Sequence, residues 1–199
     1  MSLLVKICGL RTETDVNVAV AAGADAVGFV FAKSVRRLTP QEAAAATASM
    51  RSDVRKVAVM HHPSDEEWQE VLLEFRPDVL QTDIEDFESL VVPDTVQCLP
   101  VIREGSPALA ADLPDVFLYE GGNSGQGETV DWEKAAATAL RGKLILAGGL
   151  NAANLGDAIA IVRPFGVDVS SAVESEPGFK SATLIREFID AARAAEQST

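Results

Sequence analysis

Residues 3–31, LLVKICGLRTETDVNVAVAAGADAVGFVF, contain one strand, one helix and a second strand, and the fold is read outward from them. Leu3–Ile7 and Ala26–Phe31 are apolar runs of strand length. Between them, TETDVNVAVAAG has helical spacing and good helix formers, with Gly23 where a helix should stop. Strands joined through a helix pair in parallel, by a right-handed crossover.

The pattern recurs. Further strand-length runs are Lys56–Met60, Val79–Gln81, Leu99–Ile102, Val116–Tyr119, Leu144–Ala147 and Val167–Ser170, which brings the strands to eight. Helical segments such as TPQEAAAATASM, SDEEWQEVLLEF and NAANLGDAIAIV lie between them; Thr39-Pro40 and Ser64 before three acidic residues are helix-start signals. Eight such units close a (β/α)8 TIM barrel, at roughly 25 residues per unit a compact one. The fourth and fifth units are the weakest: IEDFESLVVPDTVQ holds a short helix and EGSPALAADLPD about one turn. A doubly wound open sheet fits the same periodicity. No linker or shift in composition divides the chain, so one domain over residues 1–199 is expected.

Composition narrows the function. With 30 acidic against 17 basic residues the formal charge is −13, a field that repels phosphate backbones and argues against nucleic-acid partners. A small phosphorylated ligand remains compatible, because backbone N–H groups and helix dipoles bind phosphate locally. No run approaches the roughly 20 apolar residues of a membrane span, and MSLLVKICGL lacks a signal-peptide core, so a cytoplasmic protein is expected. Cys8 and Cys98 form no disulfide framework and nothing near them has metal-ligand spacing; no metal and no cofactor is assigned.

A barrel gathers its chemistry at the C-terminal ends of its strands. Cys8 lies there, as core filler or as a reactive thiol, and Lys6 shares its face by period two. Gly148-Gly149 after strand seven and Ser170-Ser171 at the end of strand eight match the phosphate site that barrels build from those two loops.

KICGL, VGFVFAKSVRRLTP, GGNSGQGETVDW, LILAGGLNAANL and GVDVSSAVESEPGFKS resemble, in order and spacing, the signature segments of phosphoribosylanthranilate isomerases, over nearly the whole chain. That resemblance implies an Amadori rearrangement of N-(5-phosphoribosyl)anthranilate without a cofactor, in a monomer or homodimer. It also implies roles. Cys8 is the base that removes the C2 proton, which needs a lowered thiol pKa or a proton relay. Arg36 meets the anthranilate carboxylate, with Arg37 one residue away as the alternative. Gln81 and Asp168 bind substrate, Asp168 matching the family aspartate at the sugar hydroxyls; its buried strand, where an unpaired carboxylate is costly, separately favours a ligand or hydrogen-bond role. Gly127 joins Gly148, Gly149, Ser170 and Ser171 at the phosphate.

The chain departs from the family pattern twice. Glu120, in FLYE, stands where an aspartate acid is usual, and is read as the general acid, with Asp131 in reserve though better suited to cap the helix that follows. Asp83, in LQTDI, stands where a histidine is usual. His61-His62, at the same rim, is read as an exposed loop pair, with metal binding or compensation for the missing histidine as the alternatives. A non-catalytic or altered-specificity phosphosugar-binding barrel is the competing reading.

Overall fold

The structure is a computed structural model that describes residues 2–110, 112–122 and 129–197. Eight parallel strands close into a barrel in chain order: β1 (Leu4–Cys8), β2 (Ala26–Val30), β3 (Arg55–Val59), β4 (Val79–Asp83), β5 (Gln97–Arg103), β6 (Val116–Glu120), β7 (Lys143–Leu146) and β8 (Gly166–Val169). Closure is the β1–β8 pairing, in which Leu4 stands beside Gly166 and Lys6 beside Asp168. That pairing rules out the open sheet, a choice that periodicity leaves undecided.

Helices α1 (Glu13–Ala22), α2 (Pro40–Ala46), α3 (Asp65–Glu74), α4 (Trp132–Ala139), α5 (Leu155–Val162) and α6 (Ala182–Glu196) pack outside. Thr12, Thr39 and Ser64 each begin a helix with a capping box: the hydroxyl accepts from the backbone N–H three residues on, whose own carboxylate accepts from the cap's N–H. Gly23 ends α1 in the left-handed conformation (φ 100°). As expected for the two weakest units, β4 and β5 are followed only by short 3₁₀ turns, Ile84–Glu88 and Pro107–Ala110.

Two sets of side chains follow from the two faces of each strand. Outward residues such as Val5, Val27, Phe29, Leu80, Ile102, Phe117 and Leu146 form the main core beneath the helices. There Phe75 of the α3 terminus packs edge-on against Phe29, with ring centroids 5.2 Å apart. Inward residues fill the barrel. Low in the barrel they are apolar, with Ala26, Val57, Val79, Val101, Leu118 and Ile145 in one buried cluster. Two residues further along each row the side chains turn polar: Lys6 and Cys8 on β1, Gln81 and Asp83 on β4, Arg103 on β5, Glu120 on β6, Asp168 on β8. Several strands run longer than their apolar runs suggest because these last, polar inward positions still pair, and Cys8, Asp83, Arg103 and Glu120 are all strand-terminal residues.

Candidate active site

The polar upper rows surround a cavity of about 300 Å³ at the C-terminal mouth. Nine of the residues singled out in the sequence line it: Cys8, Arg36, Gln81, Glu120, Gly148, Gly149, Asp168, Ser170 and Ser171. Gly127 lies outside the described residues.

At the floor, Lys6 is almost completely buried, and its Nζ donates to Asp168 Oδ1 at 2.8 Å. The barrel register makes these two residues neighbours on adjacent strands, so Asp168 has within the protein a hydrogen-bond partner of the kind its burial calls for. Burial pushes the Cys8 thiol up, Lys6 works against that, and Asp168 adds to the rise. Of the two routes to a thiolate, a lowered pKa or a proton relay, the first is not met: the Cys8 pKa lies above the ordinary thiol value. For Lys6, burial favours the neutral amine, but the Asp168 carboxylate outweighs it and lifts the pKa above the ordinary lysine value, so the ammonium persists.

Cys8 has room because its β2 neighbour is Gly28. A Cβ at Gly28 would lie 3.0 Å from Cys8 Sγ and 3.3 Å from Cys8 Cα and Lys6 Cε. Gly28→Ala is accordingly expected to cost about 1–3 kcal/mol by overpacking. By displacing Sγ it should also lower kcat at least about tenfold, measured by steady-state kinetics beside a denaturant titration; a 1 Å misplacement of a reacting group can cost about a hundredfold.

On the opposite wall Arg103 joins the chain's two departures from the family pattern. Its Nη2 meets Asp83 Oδ1 at 2.8 Å and its Nη1 donates to Glu120 Oε1 at 3.1 Å. Arg103 and Glu120 are register partners on β5 and β6. The two unexpected carboxylates therefore share one guanidinium, which fixes the rotamer of the longer Glu120. Asp131, the reserve acid, instead caps α4, accepting from the N–H groups of Glu133 and Lys134 at 3.0 and 3.2 Å.

Arg36 is half-buried on the cavity, whereas Arg37 is exposed and lines a separate, shallower groove. The Arg36 Nε and Nη2 form a fork on Glu174, at 2.6 and 2.8 Å. Lys180, its side chain fully buried, donates to Glu174 Oε1 and to the Ser170 carbonyl, both at 2.8 Å. Burial alone would raise the Glu174 carboxyl; Arg36 and Lys180 reverse that and hold it below the usual range. Sequence reasoning passed over Arg103, Glu174 and Lys180. A charged residue ending an apolar strand run, as Arg103 does, is the signal that could have found the first.

Two features point to a ligand. Gln81 Oε1 is buried without a hydrogen-bond partner among the described residues, an omission that costs about 1–3 kcal/mol unless a bound group satisfies it. Gly148 and Gly149 hold φ of 90° and 62°, conformations that let the backbone after β7 approach a ligand closely. They stand with Ser170 and Ser171 where barrels of this kind bind phosphate.

A thiol, a carboxyl and a glycine pair on one cavity at the C-terminal mouth of a closed parallel barrel stand where (β/α)8 enzymes place their active sites. The family model for N-(5'-phosphoribosyl)anthranilate isomerase matches residues 5–191. The N-(5'-phosphoribosyl)anthranilate isomerase of Nitrobacter winogradskyi is 39% identical over 220 residues, covering 100% of this chain and 96% of that protein. That of Listeria welshimeri is 35% identical, with 98% and 100% covered. Among solved structures, the Thermotoga maritima isomerase superposes with a TM-score of 0.86 at 31% identity, covering 96% of this chain and 99% of the other. The chain belongs to the N-(5'-phosphoribosyl)anthranilate isomerase family.

Proposed function

We propose that Cys8 and Glu120 carry out the family's rearrangement, the conversion of N-(5'-phosphoribosyl)anthranilate to 1-(o-carboxyphenylamino)-1-deoxyribulose 5-phosphate. The observation that supports this most is the gathering of a thiol, a carboxyl and the Gly148–Gly149 loop on one cavity. A solved relative was determined in complex with the reduced form of that product, at 31% identity and a TM-score of 0.82.

Glu120 gives a proton to the furanose ring oxygen. The C1–O bond breaks and the nitrogen lone pair forms a C1=N iminium. The Cys8 thiolate removes the C2 proton to leave an enolamine, which ketonises as C1 takes a proton. Arg36, oriented by Glu174, receives the anthranilate carboxylate, Gln81 and Asp168 meet sugar hydroxyls, and the Gly148–Gly149 and Ser170–Ser171 amides hold the phosphate. No step requires a redox or metal partner. One relative, from Thermotoga maritima, is described as dimeric; a monomer or homodimer in the cytoplasm suits this chain, in whose described residues no helix is long and apolar enough to cross a membrane.

The base must be a thiolate, and burial raises the Cys8 pKa. The thiolate fraction therefore grows as pH climbs, and kcat/KM should rise through neutrality towards and beyond the ordinary thiol range. Lys6→Met removes the opposing cation and leaves Asp168 unpaired, both of which raise Cys8 further. Its rising limb should move to higher pH, with stability lower by about 3–5 kcal/mol. An unchanged limb in the folded variant would remove Lys6 from the mechanism.

Complementation tests the function in cells. The chain should restore growth without tryptophan to a strain lacking the isomerase, and Cys8→Ala should not. Failure of the soluble wild-type chain to do so would favour the non-catalytic reading.

A further inference from the structure

At the rim of the cavity His61, His62 and Asp83 bring three metal-ligating atoms within 4.8 Å of one another. We propose that these residues form a site for a zinc-type divalent transition-metal ion. His61 Nδ1 and His62 Nε2 each lie 3.8 Å from Asp83 Oδ2. Ligand atoms around a tetrahedral ion with bonds of about 2.0–2.1 Å are about 3.3–3.4 Å apart, so each imidazole has to approach Asp83 by a few tenths of an ångström, and the full set, within 4.8 Å, has to close by up to about 1.5 Å. Both imidazoles are more than half exposed; His62 is held by Asp86, so most of this movement falls to His61.

The arrangement around the donors is what separates the site from two surface histidines. Asp83 divides its oxygens: Oδ1 takes the Arg103 guanidinium, and Oδ2 is the one turned to the imidazoles. His62 Nδ1 lies 2.8 Å from Asp86 Oδ1 while its backbone N–H donates to Asp86 Oδ2 at 3.1 Å. Asp86 is itself held by the Thr82 hydroxyl. In the neutral tautomer that donates from Nδ1 to Asp86, the Nε2 lone pair is on the Asp83 side. This is the carboxylate–histidine–metal relay that orients imidazole ligands and makes them better donors. The same contacts hold His62 in a left-handed backbone conformation (φ 46°), uncommon outside glycine.

Donor chemistry sets the class of ion. Two imidazoles and one carboxylate suit Zn²⁺, Co²⁺ or Ni²⁺ better than Mg²⁺ or Ca²⁺, which prefer all-oxygen cages. Three protein ligands leave a fourth position open, as at catalytic rather than structural zinc sites. His61 and Asp83 also line the cavity, so that position lies at its mouth.

Cobalt titration of the full chain, followed by visible absorption and by equilibrium dialysis, tests the site. Wild type should take up one Co²⁺ with the visible bands of a four-coordinate ion and no thiolate charge-transfer band, and Zn²⁺ should displace it. His62→Gly, which suits the left-handed backbone and so keeps the fold, should lower affinity more than tenfold, as should His61→Ala. Asp86 is not itself a ligand of the ion, and Asp86→Asn should weaken binding about 10–100-fold through its contact with His62. No uptake by wild type, equal uptake by His62→Gly, or a thiolate band placing the ion on Cys8 or Cys98 would each overturn the proposal. Dialysis reads binding alone, so the outcome stands apart from that of the isomerase assays.

Discussion

Replacing Cys8 with serine is expected to lower kcat by about 10²–10⁴-fold, the usual contribution of a positioned acid or base, with KM little changed. The substitution keeps the size of the side chain and the Lys6–Asp168 pair beneath it. What it removes is a group that can ionise in the working pH range; a serine hydroxyl cannot. The burial that raises the Cys8 pKa also makes its thiolate a stronger base once formed. Stability should move by no more than about 2 kcal/mol, typical of a single conservative change. A residual rate within tenfold of wild type would mean that another group takes the C2 proton.

The second large effect is expected at Glu120. Glu120→Gln preserves shape and the contact with Arg103 but has no acidic proton to give, so kcat should again fall by about 10²–10⁴-fold. Glu120→Asp restores the family's usual residue and should nonetheless lose activity, by about a hundredfold. Arg103 reaches the glutamate carboxyl at 3.1 Å while anchored to Asp83 at 2.8 Å, a geometry built around the longer side chain. Asp83→His combined with Glu120→Asp should recover part of that loss, because the substitutions at two ends of one guanidinium are coupled. A gain of activity by Glu120→Asp alone would show instead that the glutamate is misplaced for the chemistry. Steady-state kinetics on the four chains decides between them.

These expectations rest on features legible in the sequence to different degrees. Alternation of strands and helices was readable because each unit carries its own periodicity and cap, as Thr39-Pro40 and Ser64 show. Closure was not, since it depends on β1 meeting β8, a contact between opposite ends of the chain. The same pairing explains why Lys6 and Asp168 were placed at the site separately without being recognised as partners. Cys8 could be located because a polar residue ending an apolar run stands out, whereas Gln81 and Glu120 were located through the family resemblance. The links among side chains were hidden: Arg103 bridging Asp83 and Glu120, and Glu174 gripping Arg36, both follow from tertiary placement that no local pattern encodes. The rise of the Cys8 pKa was likewise invisible, being the balance of burial and Asp168 against the ammonium groups of Lys6 and Lys180.

Turnover of freshly prepared N-(5'-phosphoribosyl)anthranilate by the purified chain, followed as loss of its anthranilate fluorescence, tests the central claim most directly. Rapid loss with wild type, abolished in both Cys8→Ser and Glu120→Gln while all three remain folded, is the predicted result. A folded wild-type chain that leaves the fluorescence unchanged, or equal rates in all three, would contradict the assignment of this cavity as the isomerase site.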